Sequence, residues 1–168
     1  MKQRLRIAVF VFVLAALLLG AIPASAKNKT YVTGLAYWGE AQPAEREWIT
    51  GQYVSHVRNQ VIPFEWVTSD PRLNGYVYHV NNADWHFTAD WEFLFSYNYG
   101  HSIIYAEPEY ITPLWDCTVQ GILSSDWSYS AEGVCNGLGV NRGTHVDIVS
   151  TTPDLSLPTM DLQAWIVE

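Results

Sequence analysis

The sequence predicts an all-β chain, a single small antiparallel β-barrel of about eight strands with little or no helix. Three observations carry that expectation. Trp85 to Tyr99 alternates with period two: Trp85, Phe87, Ala89, Trp91, Phe93, Phe95, Tyr97 and Tyr99 hold one parity, polar residues hold most of the other, and Leu94 alone breaks the pattern. The remaining apolar and β-branched runs are short and separated by turn-forming residues, with no amphipathic helical stretch longer than a turn. Four of the eleven glycines fall at 133, 137, 139 and 143, all odd positions. On one strand they would share a face, letting backbones approach closely or a sheet bend sharply.

Taken in order, Thr30 to Trp38 alternates loosely, with Gly34 as a candidate bulge. Gln42 to Glu47 is polar and reads as a loop or one helical turn. Strand-like residues return from Trp48 to Val57, and Pro63 marks an edge or bulge before Phe64 and Trp66. Ser69-Asp70-Pro71-Arg72-Leu73-Asn74-Gly75 is a turn, because Asp-Pro fixes φ and Asn-Gly accepts positive φ. Tyr76 to Val80 is a short strand. The run from Trp85 to Tyr99 is either one long strand or a strand bent near Ala89, ended by Gly100. Ser102 to Ala106 is a strand, and Glu107 to Pro113 is a proline-bounded loop. Leu114 to Leu123 and Ala131 to Gly139 form a hairpin, Val146 and Ile148 resume strand alternation, and Met160 to Val167 closes the chain.

Residues 1–26 read as a cleaved signal peptide. Lys2, Arg4 and Arg6 precede the apolar run Ile7 to Ile22, and Ala24-Ser25-Ala26 supplies small residues at the cleavage site. The barrel domain is then 27–168, secreted and with no membrane attachment after cleavage. Loss of the three basic residues leaves six against seventeen acidic ones, a net charge of −11. A surface so acidic repels phosphate backbones, which disfavours nucleic acid as a partner. Cys117 and Cys135 are the only cysteines, and an even count in an exported chain favours a disulfide. Their midpoint is Asp126, inside the turn-rich Ser124-Ser125-Asp126-Trp127-Ser128, so a hairpin centred there sets the two opposite one another.

The Ser69–Gly75 turn leading into a strand, the strand Trp115-Asp116-Cys117-Thr118 and the Gly133–Gly143 segment resemble, in this order, secreted bacterial proteins of the allene oxide cyclase-like, dirigent-like barrel superfamily. The likeness spans about Gly51 to Glu168. It implies an eight-stranded antiparallel barrel with an apolar interior. A catalytic member would act as an isomerase or cyclase without a cofactor. Val140 and Asn141 stand where that family often carries an aromatic residue, and no catalytic residue of the cyclases is matched by position. The resemblance therefore implies the barrel and leaves catalysis open.

Two functions from different classes fit this reading. In the first, Trp91, Phe93, Phe95, Tyr97 and Tyr99 turn inward and line a barrel that holds a small apolar or aromatic molecule. Gly137, Gly139 and Gly143 then supply the close seam where the barrel shuts. In the second, exposed tryptophans make a carbohydrate-binding or adhesive surface. They differ in where the tryptophans point, into a cavity or onto a flat outer face. No metal site is expected. His86 and Asp90 lie about 13 Å apart along a strand, and His145 with Asp147 is a pair needing further ligands. Glu107 and Glu109 lie in the proline loop and read as solvated acids rather than as a glycosidase pair.

Overall fold

The computed structural model describes residues 28–168; the expected signal peptide lies outside the described residues. Nine strands are found among them: β1 (Lys29–Trp38), β2 (Arg46–Thr50), β3 (Val54–Thr68), β4 (Gly75–Phe87), β5 (Phe93–Tyr105), β6 (Pro113–Ser124), β7 (Tyr129–Gly137), β8 (His145–Thr152) and β9 (Thr159–Val167). Helical structure among the described residues is limited to two 3₁₀ turns, Pro71–Leu73 and Gly139–Asn141. All nine strands belong to one antiparallel sheet, which closes because β1 pairs with both β9 and β3. Eight strands complete a barrel-like ring, and β2 is a ninth, laid outside it along β3.

The ring closes where Gly34 pairs with Thr68. A Cβ on Gly34 would lie 2.7 Å from the Thr68 Cα, so a side chain there would force β1 and β3 apart. The glycines at 137, 139 and 143 do not form that seam. β7 stops at Gly137, and Gly139 and Gly143 take positive φ in the connection to β8, where the chain turns instead of continuing as strand. The expected glycine face is thus two strand residues followed by a loop.

Pro63 is tolerated inside β3 because of what flanks it. Its carbonyl accepts from Gly39 N at 2.8 Å, just beyond the last β1–β3 ladder pair, Trp38 with Phe64. In an antiparallel strand a residue's N–H and C=O point to the same side, so the missing donor falls beside the ladder's end. The expected strand from Trp48 to Val57 is instead the β2–β3 hairpin, with Gly51 at φ 62° in its turn.

Cys117 and Cys135 are direct partners across β6 and β7 and form a disulfide. Both are fully buried in the half of the ring filled by Val32, Leu73, Ile104, Trp115, Val146 and Ile166. The hairpin turns at Ser124–Ser128, with Asp126 Oδ1 accepting from Ser128 N. With an 18-residue separation, loss of the bond is expected to lower stability by roughly 3 kcal/mol. Mass measurement of the unreduced chain should show two hydrogens fewer than the thiol form; two freely titrating thiols would contradict the pairing.

The turn at Ser69–Gly75 is also where expected. Asp70 accepts from Arg72 N and pairs with its guanidinium, which also reaches Glu168. Hydrogen bonds from Arg72 hold the Asp70 carboxyl below its ordinary pKa.

Candidate functional site

The sense of each strand face decides what the ring encloses. On β4, Val77, His79, Asn81 and Ala83 point inward and are buried. The run from Trp85 to Tyr99 does not continue as one strand. It reverses at Thr88–Glu92, where Thr88 N donates to Glu92 O at 2.8 Å and Trp91 N donates to Thr88 O at 3.0 Å. Phe87 pairs with Phe93 and His86 with Phe95, so one residue, Leu94, is extra. That β-bulge shifts the register, and beyond it the even residues of β5 face inward. Ser96, Asn98 and Ser102 occupy the interior, and the aromatic parity faces out.

This corrects the expected ligand-lining set. Trp91 lies in the turn at φ 63° and is 52% exposed. Phe93 packs at the end of the ring, 5.2 Å from Trp85 and 5.4 Å from Trp127 between ring centroids. Phe95 stacks on His86 outside the ring at 4.4 Å. Tyr97 and Tyr99 are 51% and 43% exposed on the same outer face, with Arg58 over the Tyr99 ring. None of the five reaches the interior cavity. Gly100, expected to end a strand, lies in the middle of β5 opposite Asn81. A Cβ there would come within 2.6 Å of His79 Cε1, so the glycine makes room for the imidazole.

The ring is divided across its axis into two ends, since β1, β5 and β9 each contribute to both parts. One half is solid around the disulfide and Trp115; the other holds a cavity of about 260 Å³. A small barrel has room for side-chain filling or for a hollow, and here side chains fill one half and leave the other hollow. Aromatic walls come from Trp38, Phe64, Trp66, Trp85 and Tyr129, and aliphatic ones from Ile62, Leu123, Ile148 and Met160. The polar groups are concentrated on three neighbouring strands: Gln60 of β3, His79 and Asn81 of β4, Asn98 and Ser102 of β5.

Among the described residues, no Asp, Glu, Lys or Arg lines this cavity. His79 Nδ1 lies 2.7 Å from Ser102 Oγ, and burial pushes the imidazole pKa down to about 4, so at neutral pH it is uncharged. Asn98 Nδ2 donates to Ser96 Oγ at 2.7 Å. Burial likewise pushes the Tyr129 hydroxyl up to about 12, keeping it protonated. The interior therefore offers most of its neutral hydrogen-bonding groups along one wall, with the Tyr129 hydroxyl of β7 and Ser150 of β8 across from them amid apolar contact.

The other candidate groups lie outside. His145 Nε2 and Asp147 Oδ1 sit 3.1 Å apart and engage each other, and Glu107 accepts from Thr112 N in its loop. Among the described residues, no three His, Cys, Asp or Glu side chains converge on a point that could hold a metal.

The polar groups of the interior were hidden from sequence reasoning. His79 stands in a short strand with nothing to distinguish it, and Ser96 and Asn98 look like an ordinary solvated face. The signal that marks them is Leu94, whose break in the alternation is the register shift.

Comparison with protein-family models, with curated proteins and with solved structures returns no significant match.

Proposed function

We propose that the chain is a small exported β-ring protein that binds one uncharged, largely apolar or aromatic molecule in the hollow half of its interior. The observation that carries this reading is the cavity itself. It combines indole and phenyl walls, a neutral polar wall and, among the described residues, no ionised side chain. Burying an unpaired charge there is costly, so a carboxylate or ammonium ligand is selected against. At about 260 Å³ the space lies near the lower end of small-molecule pockets, a size suited to one or two fused rings. The buried disulfide supports an oxidising compartment, and no helix among the described residues is long and apolar enough to cross a membrane. Residues 1–26 as signal peptide, and descent from the allene oxide cyclase-like, dirigent-like superfamily, belong to the same proposal. The eight-strand ring with an apolar interior supports the latter.

A neutral ligand, 2-acetylnaphthalene, tests the reading against 2-naphthoate, which has similar size and a negative charge. The neutral compound is expected to quench tryptophan fluorescence, because Trp38, Trp66 and Trp85 line the cavity, and to raise the melting temperature with occupancy. At neutral pH the carboxylate is expected to bind at least about tenfold more weakly. Equal binding of both would overturn the charge argument.

The outer surface supports a second reading. Tyr97, Tyr99 and Ile122 are exposed on neighbouring strands, and Trp48 lies further along the same outer wall. Such a platform suits sugar rings. Retention on cellulose or chitin, with no response to either naphthyl compound, would move the function to that face.

A further inference from the structure

Outside the ring, three strands bring together a hydroxyl, an imidazole and a carboxylate. Trp48 of β2 pairs with His56 of β3, and His56 pairs with Asp84 of β4, so these side chains lie in one row across the outer face. Thr50, two residues along β2, is the diagonal neighbour of His56. Thr50 Oγ1 is 2.5 Å from His56 Nε2, and His56 Nδ1 is 2.6 Å from Asp84 Oδ1.

We infer that Thr50, His56 and Asp84 form a nucleophile–base–carboxylate relay able to cleave activated carboxylic esters at the outer surface.

The protonation pattern follows from the partners. An ionised carboxylate only accepts, so the proton between His56 and Asp84 belongs to Nδ1. Nε2 is then an acceptor, and the Thr50 hydroxyl donates to it. This is the tautomer that a general base needs. Burial would raise the Asp84 pKa, but hydrogen bonds from Arg58 and His56 outweigh it, and the carboxyl stays below its ordinary value. Arg58 Nη2 donates to the same Oδ1 at 2.6 Å, while Nη1 donates to the carbonyls of Val57 and Ala83. Arg58 thus positions the carboxylate.

Accessibility is graded in the direction catalysis requires. Thr50 is exposed, whereas the His56 side chain is only 17% exposed beneath the Trp48 ring stacked on it at 5.0 Å. The nucleophile faces solvent and the base is sheltered. Trp48 itself is 40% exposed and offers a flat apolar surface beside Thr50 for an aryl group.

In the first half-reaction Thr50 Oγ1 attacks the acyl carbon and its proton passes to His56 Nε2. The ester C–O bond breaks, the leaving oxygen takes that proton, and the acyl group remains esterified to Thr50. Water then attacks the acyl carbon and gives a proton to Nε2. That proton returns to Thr50 Oγ1 as the acyl–oxygen bond breaks and a carboxylic acid leaves.

The test uses the folded, disulfide-bonded chain with p-nitrophenyl acetate as substrate and an alkyl fluorophosphonate as covalent probe. The expected result is hydrolysis above buffer and a probe adduct mapped by mass spectrometry to Thr50. His56→Gln should lower kcat/KM by roughly 100-fold or more, and Asp84→Asn by at least about tenfold. Thr50→Ser keeps the hydroxyl and should retain both labelling and turnover, while Thr50→Ala should lose both. A merely structural network would leave Thr50 unlabelled. A folded wild type with no adduct and no hydrolysis above buffer overturns the inference, as does hydrolysis that survives Thr50→Ala unchanged.

Discussion

Replacing Trp115 by alanine is expected to destabilise the chain by roughly 3–5 kcal/mol, the largest single-residue effect anticipated here. Its side chain is fully buried in the solid half of the ring, between Ile104 of β5 and Gly137 of β7 in the sheet register. Removing the indole leaves a void that neighbouring strands, held by the adjacent Cys117–Cys135 bond, are poorly able to collapse into. The substitution also deletes the hydrogen bond from Trp115 Nε1 to the Arg72 carbonyl at 2.8 Å, which fastens the Pro71–Leu73 turn to β6. A small domain has about 5–15 kcal/mol in total, so the loss is a large fraction of the stability available. Urea denaturation of Trp115→Ala and Trp91→Ala makes the comparison direct. Trp91, half exposed in a turn, should cost less than about 1 kcal/mol. Similar losses for the two would mean that the division of the ring is wrong.

That contrast also shows what was legible beforehand. Alternation is a property of a strand, so the presence of β-structure between Trp85 and Tyr99 was readable. Which face is inside is a property of the register, and register passes through the hairpin. The Thr88–Glu92 reversal and the Leu94 bulge together sent the aromatic residues outward and the serine and asparagine side chains inward. Burial by hydrophobicity would predict the opposite. The aromatic residues find partners outside, as Phe95 does on His86, while the interior at Ser96 and Asn98 is satisfied by a hydrogen bond. The cysteine pairing was readable because it depends only on symmetry about Asp126. The Gly51 hairpin was not, since Trp48 to Val57 looks continuous, and with it the meeting of Thr50, His56 and Asp84 was hidden. Three residues on three strands have no sequence spacing to betray them.

Lowering the pH from 7 to 4 is expected to cost the folded state about 3 kcal/mol through His79 alone. Burial holds this imidazole neutral, with its pKa moved from the ordinary 6.5 down to about 4. The unfolded chain therefore takes up a proton at His79 in a range where the folded chain does not. Stability falls as pH drops through that window, by about 1.4 kcal/mol per unit of difference, and the loss levels off below about pH 4. The groups around His79 offer no compensating charge: Ser102 accepts or donates a neutral hydrogen bond, Phe64 lies edge-on at 6.0 Å, and Gly100 leaves no side chain. Asp70 and Asp84, whose pKa values are lowered, act in a different range. They stabilise above the ordinary carboxylate pKa, and that contribution disappears as pH falls through their lower folded values. Urea denaturation of wild type and His79→Gln from pH 7.5 to 4 separates these effects, since the other four histidines and all carboxylates are common to both. The variant should be flatter between pH 6.5 and 4 and parallel to wild type below it. Parallel curves across the whole range would mean that His79 titrates normally, and so that the wall it stands in is open to water rather than the sheltered, neutral surface on which the ligand argument depends.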